Sequence, residues 1–363
     1  METPLQSLQA GCWFKLICGA SYQALPEVRS LALVYALAGA DCIDMAADPA
    51  VVAAVKSGLA AAQRVAAEPA HPLINTPYEF RRPLLMVSMS AGEDPHFRKA
   101  WFDSAVCPSE CDRPCERICP AAAIDSDGVI DAHCYGCGRC LPVCPYGLIE
   151  ARSQPTSVDA IAQQTLTQVD ALEIHTQVGQ LDEFRSLWQR IRPWVGHLSI
   201  ISVSCPDGEG LVDYLRALQR LMSLHTLGIA LIWQTDGRPM SGDIGKGTTH
   251  AAVRLAQKVL TASLPGYIQL AGGTNQYTVF KLRELGLWQP SKACSEGMSV
   301  NARGVAGIAY GSYARRLLMT EIGQTHYLEE DPQALKTAVA LARSLVMPVK
   351  QVNEETIKPA TQS

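Results

Sequence analysis

Eight of the thirteen cysteines in this 363-residue chain fall between Cys107 and Cys144. They form two quartets, Cys107-x3-Cys111-x3-Cys115-x3-Cys119 and Cys134-x2-Cys137-x2-Cys140-x3-Cys144, each closed by a proline, Pro120 or Pro145. A disulfide framework belongs to short secreted chains with a leader. This chain is long, and its opening METPLQSLQAG lacks the basic start and apolar run of a leader. Thiols clustered in this way, in a reducing compartment, read as metal ligands.

The second quartet has the spacing of bacterial ferredoxins. Two-residue gaps let three successive thiolates reach three irons of one cube, and the fourth cysteine leads away to a second cube. Gly136 and Gly138 allow the backbone to wrap closely and to present N–H groups to cluster sulfurs. The first quartet has three-residue gaps throughout. A helix with a cysteine stripe is disfavoured there by Pro108 and Pro114. Zinc also takes four cysteines, but from one set with a gap between its pairs. One cluster with spare thiols is the other alternative. Two adjacent quartets ending in Cys-Pro fit a ferredoxin-like pair of [4Fe–4S] clusters better. By the crossover rule, Cys134, Cys137, Cys140 and Cys119 hold one cube, and Cys107, Cys111, Cys115 and Cys144 the other.

Outside this stretch, apolar strand patterns alternate with amphipathic helices. Strands are expected at Trp13–Ala20, Cys42–Ala47, Leu84–Ser90, Ala171–Thr176, Leu198–Ser204, Ile229–Gln234, Tyr267–Ala271 and Val305–Tyr310. Helices fall between them, from Leu25–Leu37 through Asn275–Leu285, with Ser312–Met319 last and one more helix after Asp331. Eight such units predict a TIM-barrel-like (β/α)8 fold, with a doubly wound open sheet plus a ferredoxin domain as the rival. The organisation this implies is barrel over 12–98, a ferredoxin-like insert after strand three over 99–152, barrel again over 153–330, and a C-terminal helix and tail over 331–363. An insert after strand three lies at the C-terminal face, where barrels bind ligands.

Barrels often bind phosphate with the loops after strands seven and eight. Here those loops offer Gly272, Gly273 and Thr274, then Gly311 and Ser312. The loop after strand six, 236–249, is rich in glycine but lacks Walker spacing. Together the three loops resemble those of flavin-binding barrels such as dihydroorotate dehydrogenases, which adds a flavin to the candidate cofactors; glycines that merely make turns are the alternative. Glu173 and His175 alternate on strand four and point toward the mouth, as a structural pair before a catalytic one. Trp233 and Asp236 are further candidates for lining it. Cys18, Cys42 and Cys205 read as packing. No catalytic residue set is recognisable.

Composition narrows the partners. The net charge of −4 and the absence of a basic tract exclude a nucleic-acid-binding surface. The longest apolar run, Leu31 to Ala40, is too short to span a bilayer, so the expectation is a cytoplasmic protein without membrane insertion.

Three stretches carry a resemblance to a known family: FKLICGASYQALPEVRSLALVYALAGADCIDMAADPAVVAAVKSGL, the double Cys-Pro quartet, and IWQTDGRPMSGDIGKGTTHAA. They resemble the light-dependent period protein (LdpA) family of cyanobacteria, to about residue 350. The resemblance implies an iron–sulfur protein that reports cellular redox state to the circadian clock, in association with clock proteins that include an input histidine kinase. The residues themselves yield a redox-active protein: a sensor without turnover, an oxidoreductase working at the barrel mouth, or an electron-wire subunit.

Overall fold

The computed structural model describes residues 3–19, 25–68, 80–92, 98–119, 122–131, 133–134, 139–153, 158–237, 247–288, 290, 304–322 and 327–350. A short helix α1 (Pro4–Ala10), capped by Thr3 and ended by Gly11 at positive φ, leads into the first barrel strand. Eight strands then close on themselves, all neighbours parallel: β1 (Trp13–Ile17), β2 (Cys42–Ala46), β3 (Leu84–Ser90), β8 (Ala171–His175), β9 (Ile200–Cys205), β10 (Ala230–Asp236), β11 (Tyr267–Ala271) and β12 (Gly307–Tyr310). The seam pairs Trp13 with Gly307 and Leu16 with Tyr310. Among the described residues the sheet therefore has no open edge, which rules out the doubly wound alternative and explains why these strands are apolar on both faces.

Strand alternation sorts the side chains. Phe14, Leu16, Ile43 and Val87 point outward into the layer between sheet and helices. Trp13, Cys42, Met86, Ala171, Ile200 and Ile232 point inward and plug the lower barrel. The outer ring consists of α2 (Leu25–Ala38), α3 (Pro49–Ala67), α5 (Val158–Thr165), α6 (Leu181–Ile191), α7 (Leu211–Met222), α8 (Thr249–Thr261), α9 (Thr278–Glu284) and α10 (Ser312–Ile322). The last helix, α11 (Pro332–Lys350), packs on α2 and α10, and its Lys350 pairs with Asp41. Asp48 caps α3 through Ala50 N–H at 2.8 Å, with Pro49 in the first turn, as the Asp-Pro dipeptide predicts. Helix α6 ends at Ile191 and the chain continues as a tighter turn around Pro193.

Helix α3 is long and apolar enough to cross a membrane by composition alone. It is used otherwise here. Its Gly58 lies against α2 so closely that a Cβ would sit 2.3 Å from the Arg29 carbonyl oxygen, and Val51, Val52, Val55 and Leu59 are buried.

Between β3 and α5 the chain forms a small unit of its own. Strands β4 (Arg98–Trp101) and β7 (Glu150–Ser153) pair antiparallel and bracket it. Inside lie a short helix α4 (Pro114–Ile118) and a hairpin of β5 (Ile124–Asp125) and β6 (Gly128–Val129). Because β3 runs toward the C-terminal face, the unit is attached at the barrel mouth.

Candidate functional site

The insert has its own small core, in which Ala100, Phe102, Ile124 and Ile149 surround Cys115 and Cys140, and Cys107, Cys119, Cys134 and Cys144 pack against it. Two of the six buried members of this core are cysteines. Prolines shape the first quartet. Pro114 does not merely forbid a helix; it opens one, at the position where a missing N–H costs nothing. Cys115 rides on that turn, Cys119 ends it, and Cys107 and Cys111 precede it in irregular backbone, so no helix runs through the quartet.

Backbone donors point at the sulfurs. Ala123 N–H donates to Cys119 Sγ at 3.2 Å and Leu148 N–H to Cys144 Sγ at 3.4 Å. Burial works to raise the Cys144 thiol, but the amides of Leu148, Tyr146, Ile149 and Gly147 outweigh it and hold its pKa below the ordinary thiol value. Burial raises the Cys115 thiol, its own and the Glu116 amide oppose, and the charge on Cys144 adds to the rise. Two cysteines far apart in sequence thus feel each other, across the two quartets. Amides placed to favour a thiolate would also suit the sulfurs of a bound cluster. Cys137 lies outside the described residues, and among those described no three potential ligands converge as a closed metal site. The donor set, all sulfur with amides directed at it, suits an iron–sulfur cluster.

The insert is tied to the barrel by Arg139, between two ligand candidates, which pairs with Glu27 in the first turn of α2. Below, the barrel interior is not apolar in its middle layer. Lys15 of β1, fully buried, pairs with Glu173 of β8 and lies 3.3 Å from Asp44 of β2. Glu173 also accepts from Ser202 Oγ at 2.8 Å and Gln234 Nε2 at 2.7 Å, and Gln234 is held by Gln269, itself bonded to Trp13 Nε1 at 2.7 Å. Ser88 Oγ donates to Asp44 at 2.7 Å. His175, 37% exposed toward the mouth, stands 3.4 Å from Glu173. Glu173 and His175 do share the inner face, as expected. Lys15 and Asp44 escaped the sequence reading, although each is a charge in the middle of an apolar strand, in WFKLI and CIDMA, and that was the available signal.

Burial pushes up the Asp44 carboxyl, and Lys15, the chief opposing influence, does not offset it. For Glu173 burial acts the same way, but Lys15 and then His175 reverse it, so its pKa falls below the usual range. Lys15 is raised: burial lowers it, and Asp44 and Glu173 together overcome that.

The candidate phosphate loops are largely occupied with each other. Thr274 Oγ1 donates to the Ala309 carbonyl at 2.6 Å, Thr248 Oγ1 to the Gly273 carbonyl at 2.7 Å, and a Cβ on Gly273 would meet that Thr248 carbonyl oxygen at 2.7 Å. Gly273 is therefore required for loop packing. Gly272, also at positive φ, shares this loop, while Gly311 and Ser312 lie at the end of β12 beside Arg315. The loop after β10 lies mostly outside the described residues. Trp233 does not line the mouth: strand parity turns it outward, where its Nε1–H donates to the Pro265 carbonyl at 2.8 Å. Asp236, at the end of β10, is half-buried. Cys18 and Cys205 pack outside the sheet and Cys42 inside it.

Two family models match the chain, the LdpA Fe–S cluster-binding domain over residues 107–155 and the light dependent period A C-terminal domain over 164–348. Light dependent period A of Synechococcus elongatus is 52% identical over 353 residues, covering 96% of this chain and 94% of that protein. An iron–sulfur protein of Rhodospirillum rubrum is 38% identical over 60 residues, and the electron transport protein HydN of Escherichia coli 38% over 56; each match covers 14% of this chain and 32% of its relative. Among solved structures, thiamine phosphate pyrophosphorylase from Pyrococcus furiosus aligns over 92% of this chain and 98% of its own, with a TM-score of 0.35 and 10% identity. With an iron–sulfur-binding domain set into a closed barrel, and 52% identity over nearly the whole length of that relative, the chain belongs to the light dependent period A family.

Proposed function

We propose that this protein is a redox sensor that holds two [4Fe–4S] clusters and relays cellular redox state to the circadian clock. The observation that carries the two-cluster reading is geometric: Cys144 of the second quartet packs against the same small core that holds Cys115 of the first. It supports crossover ligation, with Cys107, Cys111, Cys115 and Cys144 as one set and Cys119, Cys134, Cys137 and Cys140 as the other. Bound clusters would supply one-electron storage. The residues around them would hold the sulfurs, exclude water, and pass a change of charge to the barrel through Arg139 and Glu27.

A sensor must bias two conformations differently, since a signal with no differential effect shifts nothing. A tenfold change in partner affinity requires about 1.4 kcal/mol of coupling. By reciprocity, a partner that prefers the reduced form raises the midpoint by about 60 mV for one electron. The proposed partners are clock proteins, including an input histidine kinase, met in the cytoplasm. The test is a pair of redox titrations, with and without the bound partner. Distinct midpoints support sensing, whereas identical midpoints with equal affinities for both redox states leave an oxidoreductase at the barrel mouth or an electron wire. Flavin co-purifying with the protein would favour the oxidoreductase.

A further inference from the structure

Arg315 stands in the first turns of α10, just past the end of β12. Its guanidinium reaches back over the seam where the barrel closes. Nη1 donates to the Ile17 carbonyl at the end of β1, at 3.0 Å, and Nη2 lies 3.3 Å from Ser312 Oγ. Glycines make room for it on both sides: a Cβ on Gly19 would stand 3.1 Å from Nη1, and one on Gly311 3.5 Å.

This charge has no counter-ion among the described residues. The buried Arg29 meets Glu329, and Arg139 meets Glu27. The ionisable neighbour that Arg315 feels is the Cys18 thiol, and burial, the larger influence, holds the guanidinium below its ordinary pKa. A guanidinium offers about five N–H donors in a planar fork that matches oxyanions. Two hydrogen bonds to protein leave the rest of the fork unspent, in a place that water only partly reaches. A partly desolvated charge without a partner is costly, and an anion removes that cost.

The surroundings are pre-arranged for one. Thr274 Oγ1 bonds the Ala309 carbonyl, and Tyr313 OH donates to Gln276 Oε1 at 2.9 Å, so the loops after β11 and β12 are fixed to each other. The Ser312 hydroxyl adds a donor or acceptor beside the fork, and the start of α10 contributes positive potential.

We propose that Arg315 anchors an oxyanion site at the barrel mouth and that its ligand is a small molecule carrying a phosphate group. A tetrahedral phosphate accepts the Arg315 fork on one edge and keeps oxygens for Ser312 and the mouth. The assignment uses no cluster ligand, so it stands or falls independently of the redox reading.

The test uses the full chain with its clusters assembled. Phenylglyoxal modification of arginines is followed by mass spectrometry in inorganic phosphate, in acetate and in chloride, at equal ionic strength. The expected result is that phosphate slows modification of Arg315 severalfold relative to chloride and acetate, while exposed Arg254 reacts at one rate throughout. Arg315→Gln should also abolish the phosphate-dependent rise in melting temperature. If that variant fails to fold, the protection experiment on the unmodified sequence decides. Equal rates in phosphate and chloride, equal protection by acetate, an Arg315 that the reagent never reaches, or a folded Arg315→Gln that keeps the phosphate shift would each overturn the assignment.

Discussion

Replacing Lys15 by methionine should be among the most damaging single changes to the barrel. The side chain is fully buried and is shared by two acids, Glu173 and Asp44. Methionine fills a similar volume but leaves both carboxylates in the barrel without their cation. Removing one partner of a buried ion pair costs about 3–5 kcal/mol. Glu173→Gln is milder, because Lys15 keeps Asp44 at 3.3 Å and the interior charge becomes balanced. What it loses is the charge-assisted character of the bonds from Lys15 and Ser202, about 1.5–3 kcal/mol. The order of the two variants thus follows from the count of charges in the layer.

The pH dependence carries the same logic. Glu173, depressed in the fold, adds stability above its unfolded pKa and loses it as pH falls through the folded value. Lys15, raised in the fold, adds stability below its unfolded pKa and loses it as pH climbs through the folded one. Asp44, raised, works against the fold as pH climbs from its unfolded value through its folded value. Without Lys15 both carboxyls shift upward and take protons readily, so the deficit of Lys15→Met should shrink as pH falls from about 8 to about 5. Urea unfolding of the cluster-loaded proteins across that range measures it. A cost below about 1 kcal/mol, set against the range for buried pairs, would refute the reasoning. So would a deficit that is flat with pH, or Glu173→Gln costing more than Lys15→Met.

Other expectations follow from single observations. Anaerobic analysis should return about eight irons and eight sulfides per chain; a reproducible value near four, or tightly bound zinc, contradicts two clusters. Cys144→Ala should damage the cluster of Cys107, Cys111 and Cys115, and Cys119→Ala the other, as read by resonance spectra of the reduced variants; damage to each cysteine's own quartet would reverse the ligand assignment. Gly58→Ala should cost about 1–3 kcal/mol in thermal unfolding, since the added methyl meets the Arg29 carbonyl. Glu329 is held below the usual carboxylate range chiefly by its hydrogen bond from Arg29, so this link stabilises above the ordinary carboxylate pKa and weakens as pH falls through the lower folded value. Hydrogen exchange in α2 should rise at acid pH in the native protein, and Arg29→Met should remove that pH dependence.

Much of this protein could be read from local pattern. Eight apolar strands with helices between them specified the barrel, because continuous burial in runs such as CIDMA and period-3.6 burial in LVDYLRALQRLM are written residue by residue. The place of the insert followed from counting strands, and its iron–sulfur-binding character from cysteine spacing, since thiolates at short fixed intervals suit such a group. Parity alone could have turned Trp233 outward once Gln234 was placed inside.

Tertiary structure decided what depends on strands meeting across the barrel and around its rim. Lys15, Asp44 and Glu173 lie on β1, β2 and β8, and only closure and register bring one ammonium between two carboxylates. Arg139 finds Glu27 across more than a hundred residues, and Arg315 caps the end of β1 from the far end of the chain. Spacing along a sequence fixes groups joined by short covalent paths; groups joined through space are fixed by the packing that closes the sheet.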